Sequence, residues 1–245
     1  MAFLSTIDND TVAALPAARF DGRIVIVDSE AGVEAACRHL EQCAIIGFDT
    51  ETRPSFRVGV SYKVALLQLS TPDTCYLFRL NRIRLDNRIL KILGSRRILK
   101  VGADVGGDIR SLHELRDFRA DGFVDLQTEA VRWGIEEKSL RKLSAIVLGM
   151  RISKAQRLSN WEAGVLTDQQ QEYAATDAWV CPRILEELQR ASTLEGGLTI
   201  ISQDRATEER RAREKHRRTR PPFRRGERGS GRREQGQISN EHNVE

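Results

Sequence analysis

The run Ala-Ile-Ile-Gly-Phe at residues 44–48 passes without a break into Asp49-Thr50-Glu51. Five residues of mostly branched and aromatic character read as a buried strand, and the strand continues through the acids. Residues two apart in a strand project to the same face. Asp49 and Glu51 therefore stand side by side at the end of a buried strand. Two such carboxylates repel one another and lose hydration. Either the strand end frays into solvent, where both acids are simply wet, or something positive compensates them, and a divalent cation is the simplest candidate. A second Asp-x-Glu triplet, Asp28-Ser29-Glu30, falls at a strand-to-helix junction. Acids there satisfy free amides and suit the helix dipole, so that pair reads as capping.

The remaining pattern alternates strands and helices. A β-rich run at Arg23–Val27 leads to a helix over 30–41, capped by Asp28 or Ser29. A loop with Pro54 and Gly59 spans 52–61. A strand over 63–69 turns at Thr71-Pro72-Asp73 into a second over 75–78, a hairpin. A helix over 85–93, a strand over 98–101 and a helical stretch over 104–118 follow. Further helices are predicted over 126–133, 140–148 and 168–188, with Ser139 and Thr167 as N-caps for the last two. A hairpin mixed with crossover helices predicts an α/β fold, a mixed sheet with helices packed on its faces. No internal repeat is visible.

A length of 245 residues, 40% of them hydrophobic, suits one domain and a tail. No run of 18 apolar residues occurs, so no transmembrane helix is expected. The first residues lack a basic start and a sustained apolar stretch, so no signal peptide is expected either, and the setting expected is cytoplasmic. Cys37, Cys43, Cys75 and Cys181 form no Cys-x-x-Cys pair and are expected to be reduced, buried and inert. The four histidines are too scattered to spell a zinc site.

The net charge of +4 hides an asymmetry. Residues 205–233 hold 13 Lys and Arg against 4 Glu, so the rest of the chain is mildly acidic. A domain over 20–200 is expected, followed by a basic tail over 203–245. Residues 203–218 have the i,i+4 charge pairs of a polar helix, and disorder is expected beyond Pro221. Thirteen cations on a chain with an acidic body favour tethering of a polyanion, with a steep salt dependence, over a merely solvated extension.

Three further residues matter. Tyr173 and Asp177 are spaced i,i+4 on one face of a predicted helix. Asp108 lies early in another, after the glycine-rich Val-Gly-Ala-Asp-Val-Gly-Gly, where backbone can approach closely. Helix capping is the ordinary alternative for Asp108, and Asp104 competes with it for any functional role.

Taken together the pattern is specific: Asp-x-Glu on a strand, Asp on a mid-chain helix, Tyr-x-x-x-Asp on a late helix. With IIGFDTE, KVALLQLS and CYLF, then KVGADVGGDIRSLHELRDF, then LSNW and LTDQQQEYAATDAW, the chain resembles the DEDD exonuclease superfamily in its tyrosine-bearing branch. Its motif regions resemble those of ribonuclease D and the Werner-syndrome exonuclease domain. The resemblance covers about residues 23–188. It implies a ribonuclease-H-like fold and hydrolysis of single-stranded RNA or DNA from a free 3′ end to nucleoside 5′-monophosphates. It implies Asp49, Glu51, Asp108 and Asp177 as ligands to two ions. Hard oxygen donors suit Mg²⁺ or Mn²⁺, about 4 Å apart across the scissile phosphate. Tyr173 matches the tyrosine that orients the attacking water; a phenol with a pKa near ~10 is a poor base at neutral pH. The histidine-bearing branch would place His where this chain has Glu172.

Phe56, Lys63, Gln68, Lys154 and Arg157 are candidates for lining the nucleic-acid path. Trp161, in Ser159-Asn160-Trp161, reads as a packing anchor, Trp133 and Trp179 as core or half-buried positions, and Asp125 as a turn or strand end. The rival reading is a non-catalytic nucleic-acid-binding relative of the same fold. It predicts loss of a carboxylate, and none is lost.

Overall fold

Val64–Ser70 is buried at every residue, a pattern a strand shows only when both faces of its sheet are covered. The layers follow from this. The computed structural model describes residues 3–191 and 197–203. Along them run α1 (Asn9–Ala14), β1 (Arg23–Val27), α2 (Glu30–Leu40), β2 (Ile45–Thr52), β3 (Val64–Ser70), β4 (Thr74–Arg79) and α3 (Asn87–Leu93). Then come β5 (Leu99–Gly102), α4 (Val105–His113), β6 (Ala120–Asp125), α5 (Leu126–Glu129), a 3₁₀ turn (Ala130–Trp133), α6 (Leu140–Leu148), α7 (Asp168–Ala191) and β7 (Ile201–Gln203).

Among the described residues the strands form one seven-stranded sheet in the order β1-β4-β3-β2-β5-β6-β7. β2, β3 and β4 form an antiparallel meander. β1 runs parallel to β4, β5 to β2, and β6 to β5, while β7 closes the edge antiparallel to β6. The sheet is mixed and helices cover it, as expected. On one face Leu66, Leu77, Val101 and Val124 pack with Ala174, Ala178 and Leu185 of α7 and Leu143 of α6. On the other, Ile46, Phe48, Leu67 and Leu69 pack with Val33 and Leu40 of α2, Ile89 of α3 and Val105 and Ile109 of α4. Each fully buried Leu, Ile or Phe stabilises by about 1.5–3 kcal/mol relative to exposure.

The caps follow local chemistry. Ser29 Oγ accepts the Gly32 N–H (3.3 Å), so Ser29 caps α2, and Asp28 instead pairs with Arg82 (3.6 Å). Ser139 Oγ accepts the Lys142 N–H at the start of α6. Thr167 and Gln170 cap α7 reciprocally: the Gln170 N–H donates to Thr167 Oγ1 (3.2 Å) and the Thr167 N–H to Gln170 Oε1 (3.0 Å).

Several expectations are corrected. The helical stretch over 104–118 stops at His113, and residues 120–125 form β6. The span 126–133 divides into α5 and the 3₁₀ turn. Folded structure reaches beyond 20–200 at both ends. Val12 of α1 packs with Ile7 and Ala145, and β7 pairs Gln203 with Ala120. Gln203 therefore begins no polar helix; residues 204–245, on which the helix, disorder and tethering expectations fall, lie outside the described residues. All four cysteines are free, but Cys43 is half-buried rather than buried. Burial raises the Cys37 and Cys75 thiols to about 12. Among the described residues no helix is long and apolar enough to cross a membrane.

Candidate active site

The site begins with a missing side chain. A Cβ at Gly47 would lie 1.9 Å from the Ala178 carbonyl oxygen and 3.2 Å from Pro182 Cδ. Only glycine lets α7 rest on β2 this closely. Pro182, inside α7, has no N–H, so it gives no helical hydrogen bond to the Ala178 carbonyl four residues before it. Docking α7 here carries Asp177, one residue before Ala178, against the end of β2. Asp49, two residues after Gly47, projects to the same face.

The result is a cluster. Carboxylate oxygens of Asp49, Glu51 and Asp177 all lie within 4.8 Å of one another. Burial, then the Asp177 charge, pushes the Asp49 carboxyl well above the usual range. Burial, then the charges of Asp49, Asp177 and Asp108, raises Glu51 to about 10. Burial raises Asp177 to about 7, against the opposing pull of a hydrogen bond from Tyr173. Asp177 Oδ1 is buried with no hydrogen-bond partner among the described residues. A buried carboxylate oxygen without a donor, facing two more carboxylates, fits a cation, and an all-oxygen donor set suits a hard divalent one.

Asp108 stands beside this cluster rather than in it. Thr50, between the two strand acids, points to the opposite face, and its Oγ1 donates to Asp108 Oδ1 (2.6 Å). Burial, then the Asp49 charge, raises the Asp108 carboxyl. Its rival Asp104 is exposed and holds a left-handed backbone (φ 62°). The Asp104 N–H donates to Asp125 Oδ1 (3.2 Å). Asp125 ends β6 and caps α5 through the Gln127 N–H (2.9 Å), the strand-end role expected of it.

Tyr173 is half-buried one turn before Asp177. Burial, then the charges of Asp177, Glu51 and Asp49, pushes its phenol well up, so it keeps its proton. Trp161, fully buried, sets its ring 6.0 Å from that of Tyr173. The segment carrying Trp161 is strapped down by side chains near the end of β4, a network with no sequence signal. Arg79 donates to the Ala163 carbonyl (2.5 Å), Asn81 to that of Glu162 (3.3 Å), and Arg82 to that of Gly164.

The expected substrate positions divide. Thr52 and Val64 are paired, so the loop between them opens at the acid end of β2. It carries Phe56, 81% exposed, and Lys63, also exposed. Arg53 anchors the loop through Glu162 (3.2 Å) and lies over the Tyr62 ring. Lys154 and Arg157 are exposed on the segment after α6. Ser153 and Gln156 of that segment line a cavity of about 180 Å³ shared with Tyr173, Thr176 and Asp177. Gln68 is the correction. It has no exposed surface, because it stands mid-strand on the face that α7 covers, and so cannot line a nucleic-acid path.

With this geometry in place, known proteins give it context. The 3′–5′ exonuclease family model matches residues 24–192. The chain is 34% identical over 187 residues to the mouse (Mus musculus) bifunctional 3′–5′ exonuclease/ATP-dependent helicase WRN, covering 71% of this chain and 13% of that protein. It is 28% identical over 199 residues to a 3′–5′ exonuclease of Arabidopsis thaliana, covering 71% of this chain and 67% of that one. The crystal structure of the Aedes aegypti Nibbler EXO domain aligns with a TM-score of 0.63 at 23% identity, covering 69% of this chain and 88% of that one. Escherichia coli RNase D aligns with a TM-score of 0.62 at 18% identity, covering 81% and 52%. The fold is the ribonuclease-H-like one expected.

Proposed function

This chain belongs to the 3′–5′ exonuclease family of the DEDD type, and from that premise we propose that it hydrolyses single-stranded RNA or DNA from a free 3′ end. The product is a nucleoside 5′-monophosphate at each step. The observation that carries this reading is the convergence of Asp49, Glu51 and Asp177 around the unsatisfied Asp177 Oδ1. Asp49, Glu51 and Asp177, with Asp108 beside them, would hold two divalent ions, Mg²⁺ or Mn²⁺. When bound, these supply Lewis acidity: they lower the pKa of a water and neutralise charge gathering on the phosphate.

The protein's own residues then have distinct tasks. Tyr173 stays protonated, so its hydroxyl aims the attacking water by hydrogen bonding and does not deprotonate it. Trp161 holds the Tyr173 ring in place. Thr50 fixes the Asp108 carboxylate. Phe56 offers an exposed aromatic face for a base, and Lys63, Lys154 and Arg157 offer cations for phosphates, all on segments flanking the acids. The basic tail is suited to tethering the same polyanion. A non-catalytic relative would not need four carboxylates and a tyrosine intact, so catalysis is the better reading.

The test uses oligonucleotides carrying a label in the 3′-terminal nucleotide. With Mg²⁺ or Mn²⁺ the first labelled product should be the nucleoside 5′-monophosphate, and EDTA should suppress it. A labelled internal fragment or a 3′-phosphate product would overturn the reading. Running RNA and DNA in parallel reads the sugar preference.

A further inference from the structure

Gln68 is the one strongly polar residue within the apolar run of β3, flanked by Leu67 and Leu69. It has no exposed surface. Its partner across the strand pair is Asp49 on β2, and Leu77 on its other side on β4. Directly opposed residues of an antiparallel pair project to the same face. The carboxamide therefore lies on the face of the sheet that α7 covers, one strand from the acid cluster. Both of its polar atoms, Oε1 and Nε2, are buried with no hydrogen-bond partner among the described residues.

An amide in that condition is costly, whereas Met or Leu would occupy the same space without penalty. A core position needs no glutamine. A buried polar group with no partner among the described residues, beside groups that fit a cation, points to a bond made when the cation is held. Residues that hold metal ligands in place characteristically do so by hydrogen-bonding the ligand's other atoms. We propose that Gln68 is a positioning residue of the cation site, its Nε2 donating to the Asp49 carboxylate when Asp49 holds the ion. Among the described residues the amide has no competing partner to give up. The bond leaves the second Asp49 oxygen for the ion and fixes its direction. The proposal rests on the reading of Asp49, Glu51 and Asp177 as a cation site.

The experiment titrates Mn²⁺ into the full chain, following free Mn²⁺ by electron paramagnetic resonance, for the parent, Asp49→Asn and Gln68→Met. Thermal unfolding of each is recorded in EDTA. Gln68→Met should unfold in EDTA at the parent temperature or above it, since an unpaired amide is gone. It should bind Mn²⁺ about 10-fold more weakly or worse. Gln68→Leu provides the same readout should Met pack poorly. Parent-like Mn²⁺ affinity in a folded Gln68 variant would overturn the proposal, as would a loss of stability in EDTA with affinity unchanged, the signature of a merely structural glutamine. Failure of the parent to bind Mn²⁺, or Asp49→Asn binding as tightly as the parent, would instead overturn the cation-site reading itself and this proposal with it.

Discussion

Asp49 is where burial and like charge meet: its carboxyl lies on the face that α7 covers, against Asp177. Replacing it with Asn removes that conflict and one proposed ligand together. Asp49→Asn should therefore lower exonuclease turnover at least about 100-fold, while the cation-free protein unfolds at a higher temperature than the parent. Nuclease assays and circular-dichroism melts in EDTA check the two halves. Tyr173 separates the roles differently. Its phenol keeps its proton and points at Asp177, so Tyr173→Phe should cost about 10-fold or more in turnover with Mn²⁺ affinity unchanged. An unchanged rate would remove the tyrosine from the mechanism.

The α7–β2 contact decides whether the acids meet at all. A methyl group at Gly47 cannot fit against the Ala178 carbonyl, so Gly47→Ala must push α7 off the sheet. The expected cost is about 1–3 kcal/mol or more of stability together with weaker Mn²⁺ binding, read from urea unfolding and metal titration. A variant as stable as the parent would show that α7 docks otherwise. Much of this was visible in the sequence. The apolar run ending in Asp49-Thr50-Glu51 is β2, the turn at Thr71-Pro72-Asp73 makes the hairpin, and Ser139 and Thr167 cap the helices they precede. β6 was not visible, because Ala-Asp-Gly-Phe-Val-Asp has glycine and two acids where a strand pattern needs apolar residues. Fully buried Lys100 makes it possible, its Nζ donating to the Ser95, Ile98 and Asp121 carbonyls. Gly47 could be read as part of a strand but not as the contact point of Ala178 on a distant helix. Gln68 looked like a groove residue for the same reason: alternation tells which residues share a face, not what covers it. Asp108 and Asp104 are inseparable by spacing, and only the Thr50 hydrogen bond and the left-handed Asp104 backbone tell them apart.

For the whole molecule the acids link stability to pH and to metal. Burial, with the charges of Asp49, Asp177 and Asp108, places Glu51 at about 10, and burial places Asp177 at about 7, above the ~4 of an unfolded chain. The folded, cation-free protein thus holds protons that the unfolded chain releases. Its stability from these groups is full below pH ~4 and is lost as pH rises through about 7 for Asp177 and on towards 10 for Glu51. A divalent ion must displace those protons, so the stabilisation it confers grows with pH. Melting temperatures with EDTA and with Mg²⁺, at pH 5.5 and 8 for the parent and Asp177→Asn, check this. The Mg²⁺ increment should be larger at pH 8 in the parent and small at both pH values in the variant; an equal parent increment at the two would contradict it. The central claim is tested most directly by 5′-labelled single-stranded RNA and DNA incubated with the parent and with Asp49→Asn. The parent with Mg²⁺ or Mn²⁺ should shorten at least one of the two from the 3′ end in single-nucleotide steps, and neither EDTA-treated parent nor the variant should do so. Full-length substrate in every metal condition, or shortening that survives both EDTA and Asp49→Asn, would contradict it.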